Sequence, residues 1–288
     1  MNRITSILSI GIFSLLFALI SSCSNDKPVD NGSTDSLPDS ILSLDVNDSM
    51  KLKFKQLVAA MPLPFEMLKK FSGAHLSFKG EILNPPTNVT SYNSADEMSF
   101  NLGVFGADLA YMISQNKLGE SAPYLKSIHR LSDAIVIPTV FNADLMQRFD
   151  ANQNKKDSMQ LLVNNSFRKI DSTLQGNERL ILATMVITGG WLEGIYITTQ
   201  HIGTDKQNEK NKVLFDMLGE QQPYLSNITE LLGSFPEDST CKSLHADFEI
   251  LKTLFPKGND IPSDQFSAQL NDLRIKIAEI RNRMVSIQ

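Results

Sequence analysis

The chain has 288 residues, 42% of them hydrophobic, with 27 Lys and Arg against 32 Asp and Glu and a formal net charge of −5. That mildly acidic balance does not suit nucleic-acid binding or broad adhesion to anionic lipid. Two cysteines in a chain of this length argue against a disulfide-stapled scaffold, and four scattered histidines show none of the i, i+4 or Glu-x-x-His spacings of a helical metal site.

The chain opens on Arg3, an apolar run from Ile4 to Ile20, and then Ile20-Ser21-Ser22-Cys23. A charged start, a short apolar stretch and small residues before a cysteine resemble a bacterial lipoprotein export signal. The run is shorter than the about 20 residues needed to span a bilayer, so residues 1–22 are read as a cleaved leader. The resemblance implies acylation of Cys23, which becomes the first residue of the mature protein and ties it to a membrane. Removing Arg3 with the leader leaves 26 basic and 32 acidic residues, a net charge of −6. With Cys23 acylated, Cys241 has no partner for an intramolecular disulfide and reads as a small, partly buried side chain.

From Ser24 to about residue 45 the sequence is rich in Ser, Asn, Asp, Pro and Gly, too polar to bury a core. It reads as a tether that holds the folded body about 25 Å from the membrane on average. Ser24-Asn25-Asp26-Lys27 carries a single acid, whereas outer-surface export in such bacteria goes with an acidic run there. The expected location is therefore the cell envelope, on the outer membrane facing the periplasm.

Residues 46–288 form the expected body. Apolar positions recur at helical spacing over about 48–60, 64–72, 94–115, 121–136, 143–150, 156–174, 177–202, 207–234, 240–255 and 264–287. Ser94-Ala95-Asp96-Glu97 has the form of a capping box and opens the run that follows it. Leu76 to Tyr92, with Gly80, Pro85-Pro86 and Asn-rich turn chemistry, reads as an extended connection. The cluster Lys51, Lys53, Lys55 reads as a solvated helix face. No pair of alternating runs is joined by a tight hairpin turn, so the fold class is all-α, a multi-helix bundle or helical-hairpin array.

Residues 118–131 and 218–231 share eight of fourteen positions, among them Gly-Glu-x-x-Pro-Tyr: Gly119/Gly219, Glu120/Glu220, Pro123/Pro223 and Tyr124/Tyr224. This predicts an internal duplication with units of about 94–175 and 177–288. In the preceding runs Asp108 aligns with Glu193, Tyr111 with Tyr196 and Gln115 with Gln200, and spacings of 3 and 7 put each trio on one helical face. Phe105 aligns with Gly190 and Gly106 with Trp191. If the two helices pack together, each glycine is expected to receive the other's ring, with Gly103, Gly189 and Gly194 adding to the close approach.

The repeated face Asp108, Tyr111, Gln115 with Glu193, Tyr196, Gln200 is the candidate ligand-binding site. Two carboxylates facing each other among apolar residues need partners, and one of them is pushed toward its protonated form. Such a pair binds a cation or polar ligand, supplies acid and base, or serves as a structural polar network, unless the face is simply the solvent face. Asp150-x-Asn152-x-Asn154 begins like a calcium loop, but Lys155 stands where glycine is required and Leu161 where the bidentate Glu belongs. No Gly-x-Ser-x-Gly elbow, phosphate loop or dinucleotide fingerprint is present, so no catalytic residue, metal or cofactor is assigned.

The stretches Leu83-Asn84-Pro85 to Tyr92, Asn101 to Tyr111 and Gly189-Gly190-Trp191-Leu-Glu-Gly194, together with the Cys23 signal, resemble an uncharacterised group of helical lipoproteins of the Bacteroidetes type. The resemblance covers most of the mature chain and implies no activity and no functional residues. The expected function is a lipid-anchored, non-enzymatic helical module that binds a small polar ligand or an envelope protein. Two alternatives stay open: an envelope enzyme that needs Asp108 and Glu193 in one accessible cleft, and a structural subunit that needs an exposed apolar patch.

Overall fold

A computed structural model describes residues 46–62, 64–73, 76–135, 143–176, 179–203, 207–255 and 263–286. The leader, Cys23 and the tether lie outside these residues. Leu44–Gln288 form one compact unit.

Two apolar helices make the centre, because they are the two whose sequences are apolar nearly all round. They are α3 (Ala95–Ser114) and α7 (Leu180–Ile202), counted after α1 (Val46–Ala59), α2 (Pro64–Leu68), α4 (Ala122–Ala134), α5 (Ala143–Asn152) and α6 (Lys156–Gly176) are placed in chain order. After α7 follow α8 (Lys212–Gly219), α9 (Gln222–Gly233), α10 (Ser239–Leu254) and α11 (Ser263–Val285), and short 3-10 turns join several of them. The described residues contain no strand, so the protein is all-α. By length and composition α7 could cross a membrane, but 83% of its most apolar window is buried inside the body.

Ser94 starts α3 as the capping pattern predicts. Its Oγ accepts the Glu97 N–H at 3.1 Å and Glu97 Oε2 accepts the Ser94 N–H at 3.1 Å. From Ser99 to Ser114 every residue of α3 is buried. The helices α3 and α7 run parallel and in contact, Phe100 beside Gly189 and Gly103 beside Val186 and Gly190. A Cβ on Gly103 would stand 2.0 Å from the Val186 carbonyl oxygen, and one on Gly189 2.0 Å from that of Phe100. Backbone meets backbone here, which only glycine permits.

The expected exchange of rings between α3 and α7 does not occur. Gly106 faces the Phe167 ring of α6, while Trp191 lies against Phe248 and Phe255 and Phe105 against Tyr124. Gly194 faces Met67 of α2. These two glycines seat side chains from neighbouring helices rather than each other's aromatic residues.

Around the central pair, α2, α4 and α6 pack on α3, and α6, α8, α9 and α11 on α7, with α10 between α9 and α11. The run expected as one helix over 207–234 is two, α8 and α9, broken at Glu220 and Gln221. Pro223 has no N–H to give and its ring cannot follow the carbonyl four residues back, so the helix restarts there. Ser121 and Gln221 occupy equivalent points of the two shared fourteen-residue stretches. Their φ/ψ values are −83/−17° and −87/−13°, and each precedes a helix with proline in its first turn. The two stretches thus share the geometry of a helix start.

The segment 76–92 is a connection, as its turn chemistry predicts, made of 3-10 turns at Gly80–Ile82 and Pro86–Thr90. It is not a surface loop throughout. Leu83 and Asn84 are buried and enter the core beside α3.

Candidate functional site

Asp108 and Glu193, one on each central helix, do converge. Both are 0% exposed. The charge that sequence reasoning missed is Arg281, in the last turns of α11 and only 6% exposed. Its Nε donates to Glu193 Oε2 and its Nη2 to Glu193 Oε1, both at 2.8 Å, a bidentate pair. The same Nη2 reaches the Ile82 carbonyl at 3.2 Å, and the guanidinium lies 4.3 Å over the Tyr196 ring.

One cation thus serves two buried carboxyl groups. Asp108 Oδ2 accepts the Asn84 N–H at 3.1 Å, and the Asp108 carboxyl lies beside that of Glu193. Burial first, and then the Glu193 charge, hold the Asp108 carboxyl well above the usual carboxylate range, against the opposing pull of Arg281 and the Asn84 N–H. The charge count points the same way. With Glu193 and Arg281 ionised and Asp108 protonated, the buried group is neutral and Asp108 donates to Glu193.

Asn and Tyr side chains enclose this group. Asn84 Nδ2 donates to Tyr92 Oη at 2.9 Å and approaches Asn101 Oδ1 at 3.4 Å, and Asn101 Nδ2 donates to the Met284 carbonyl at 2.9 Å. Tyr92 is raised to about 12, by burial above all. These bonds tie the end of α11 to α3 and to the 76–92 segment, which makes the carboxyl pair a closed structural centre.

The remaining predicted site residues are placed elsewhere. Tyr111 lies further along α3, where its hydroxyl accepts the Lys79 N–H at 3.0 Å and stands 2.7 Å from His201 Nε2. Burial first, then the Lys79 charge, lower His201 to about 4 against the opposing effect of Glu81, so the ring is neutral near pH 7 and shares one hydrogen bond with the Tyr111 hydroxyl. Gln115 Nε2 donates to the Phe71 carbonyl at 3.2 Å, and Gln200 contributes its backbone carbonyl to Lys79 Nζ at 2.9 Å. Of the six residues, Asp108, Glu193 and Tyr196 meet around Arg281. Tyr111, Gln115 and Gln200 belong to a second cluster with His201, Lys79 and Phe71.

Neither cluster is an accessible cleft of the kind acid–base catalysis on Asp108 and Glu193 requires. Among the described residues the exposed large apolar side chains are Leu52, Leu161, Ile250 and Ile275, on α1, α6, α10 and α11. Among the described residues no group of three or more His, Cys, Asp or Glu could hold a metal ion. Cys241 is buried, and burial pushes its thiol pKa up, which makes it unreactive.

An open groove of about 400 Å³ lies between α1, α2, α6 and α7. Its apolar wall includes Met61, Met67, Phe167, Val186, Ile187 and Trp191. Two of these depend on central glycines. A Cβ on Gly106 would lie 2.0 Å from Phe167 Cζ, and one on Gly194 would lie 1.6 Å from Met67 Cε. Lys55, Glu66, Arg168 and Asp171 supply the charged lining. No sequence motif announces this groove. The only signals were glycines inside apolar helices, which report a neighbour's close approach without naming it.

Comparison of the chain with protein families, curated proteins and solved structures finds no match.

Proposed function

We propose that this protein is a lipid-anchored binding module of the bacterial cell envelope, exported, acylated on Cys23 and carrying an all-helical body. The binding surface in this reading is the groove between α1, α2, α6 and α7, and the face around Asp108 and Glu193 serves to hold the body together. The observation that carries the reading is the contrast between the two places. The carboxyl pair is sealed and satisfied by Arg281, whereas the groove is open, largely apolar and within the about 300–1,000 Å³ of ordinary ligand sites. Two methionines in the wall suit ligands of variable shape.

The test is native mass spectrometry of residues 24–288, which contain the whole Leu44–Gln288 unit, purified from the membrane-facing compartment. A co-purifying small molecule is expected, and Ala59→Trp, which fills the groove from its exposed rim, is expected to remove it. Retention of the molecule in Ala59→Trp would move the binding site away from the groove. Glu193→Ala is unsuited to this purpose, because it exposes the fold to an unpaired buried guanidinium.

A further inference from the structure

The polar side chains along the groove between α1, α2, α6 and α7 have little to offer a ligand. Trp191 Nε1 donates to Gln221 Oε1 at 3.0 Å, and Gln175 Nε2 to Asp171 Oδ2 at 2.7 Å. Asp171 Oδ1 is sealed from water and so out of a ligand's reach. Arg168 Nη2 and Glu66 Oε1 stand 3.5 Å apart with both side chains about half or more exposed, and Lys55 is exposed on α1. These charges keep their water, and the wall within offers apolar contact from Met61, Met67, Phe167, Val186, Ile187 and Trp191. Ordinary ligand sites add a few placed polar groups that fix orientation. Here the side chains have none to spare, so the part of a ligand that enters carries no polar atom in need of a partner.

Size separates a small apolar occupant from a protein partner. A volume of about 400 Å³ holds about one turn of a helix 10 Å across, whereas a stable protein interface covers about 800 Å² on each side. The floor is set by glycines of the central helices. The tip of the Phe167 ring takes the place of a Cβ on Gly106, and the Met67 methyl that of a Cβ on Gly194, which draws both side chains back from the opening. Methionine adapts its shape to what it touches, so Met61 and Met67 suit an occupant that is itself flexible.

We propose that the groove binds the flexible alkyl chain of an amphiphile, with the polar head left in water at the rim. This rests on the groove being the binding surface, and it adds the chemical class of the ligand. A free fatty acid and an acyl chain of a membrane phospholipid share that chemistry.

The protein carries its own reporter, since Trp191 is the single tryptophan and lines the groove. Residues 24–288 are titrated, below micelle-forming concentrations, with octanoate, decanoate, dodecanoate, decyltrimethylammonium and the rigid cage 1-adamantanecarboxylate. Trp191 emission and calorimetry report binding. Affinity is expected to rise about twofold to fourfold per added methylene. Decanoate and decyltrimethylammonium should agree within about fivefold, the worth of an exposed charge contact, and the cage should bind more weakly than decanoate. Two variants locate the chain. Gly194→Ala pushes the flexible end of Met67 toward the groove, and Ala59→Phe fills the exposed rim without adding a tryptophan. Each is expected to weaken decanoate about tenfold. Affinity that ignores chain length, follows head charge more steeply, or favours the cage would overturn the chain assignment, while loss of that binding in Ala59→Phe would keep the groove as the binding surface. Undiminished binding in both variants, or no binding to protein that is helical by circular dichroism, would remove the groove as the binding surface, and both readings fall. Organic extraction of the protein purified from its own membranes separates the sources: a free fatty acid or a phospholipid supports the proposal and names its origin, and a released molecule without an alkyl chain overturns it.

Discussion

Arg281 and Glu193, 88 residues apart, face each other through two 2.8 Å hydrogen bonds in a site that water does not reach. The pair joins the last turns of α11 to the middle of α7 and brings Asp108 of α3 into the same contact. Removing one partner of such a pair leaves a buried charge with nothing to balance it. Glu193→Gln is therefore expected to lower the unfolding free energy by about 3–5 kcal/mol. The double change Glu193→Gln with Arg281→Met removes the stranded cation and is expected to recover much of the loss. Urea denaturation of the two single variants and the double gives the coupling directly. Additive losses would mean that the two side chains do not hold each other in solution.

The contact between α3 and α7 makes an equally sharp demand. Gly103→Ala and Gly189→Ala each place a methyl group 2.0 Å from a backbone carbonyl oxygen of the other helix. Backbone cannot rotate aside as a side chain can, so the helices must separate along their whole contact. Each change is expected to destabilise by about 3 kcal/mol. Gly219→Ala, at the end of α8 with open space around it, is the control and should lie within about 0.5 kcal/mol of the parent. Comparable midpoints for all three variants would show that the close approach is not rigid.

What the sequence made legible was local chemistry. Ser94 and Glu97 announce the start of α3, and the apolar periodicity finds most helices to within a few residues, although it runs across the break before Pro223 that separates α8 from α9. The convergence of Asp108 and Glu193 was also legible, because both acids stand among apolar neighbours on helices too apolar to lie at the surface. Arg281 was missed because its partners are 88 and 173 positions away and nothing local marks it. A clue did exist: Arg281 follows Ile277 by four and lies in the stripe of Leu270, Leu273, Ile277 and Ile280, where a charge must find a partner. The aromatic exchange failed for a related reason. Glycine at 106 reports that something comes close, but only the path of α6 decides that it is Phe167.

A protonated Asp108 makes stability depend on pH in a definite direction. Its folded pKa is raised above the ordinary value of 3.8, so its contribution is complete below about pH 4 and is lost as pH rises through the folded value. Asp108→Asn keeps both hydrogen bonds, accepting from the Asn84 N–H and donating to Glu193, but has no proton to lose. Relative to the parent it is expected to gain stability with rising pH, by up to about 1.4 kcal/mol per pH unit while Asp108 stays protonated in the folded protein. Urea midpoints from pH 5 to pH 9 measure the difference. A difference that does not change with pH would show that Asp108 is ionised in the folded state.

His201 acts with the opposite sign. Its folded pKa, about 4, lies below the ordinary 6.5, so its contribution is present above about pH 6.5 and is lost as pH falls toward 4. Between those limits Asp108 favours the folded state as pH falls while His201 disfavours it, and the two slopes oppose each other. The parent protein should accordingly show little pH dependence from these two groups in that interval. Asp108→Asn removes one slope and uncovers the other, so this variant is expected to lose stability from pH 6.5 to 4.5 more steeply than the parent. Adding His201→Gln, which keeps an acceptor for the Tyr111 hydroxyl and does not titrate, should flatten the profile again. If the double variant retains the steep acid loss of Asp108→Asn, the loss comes from other groups and the Tyr111 to His201 contact is not what acid breaks.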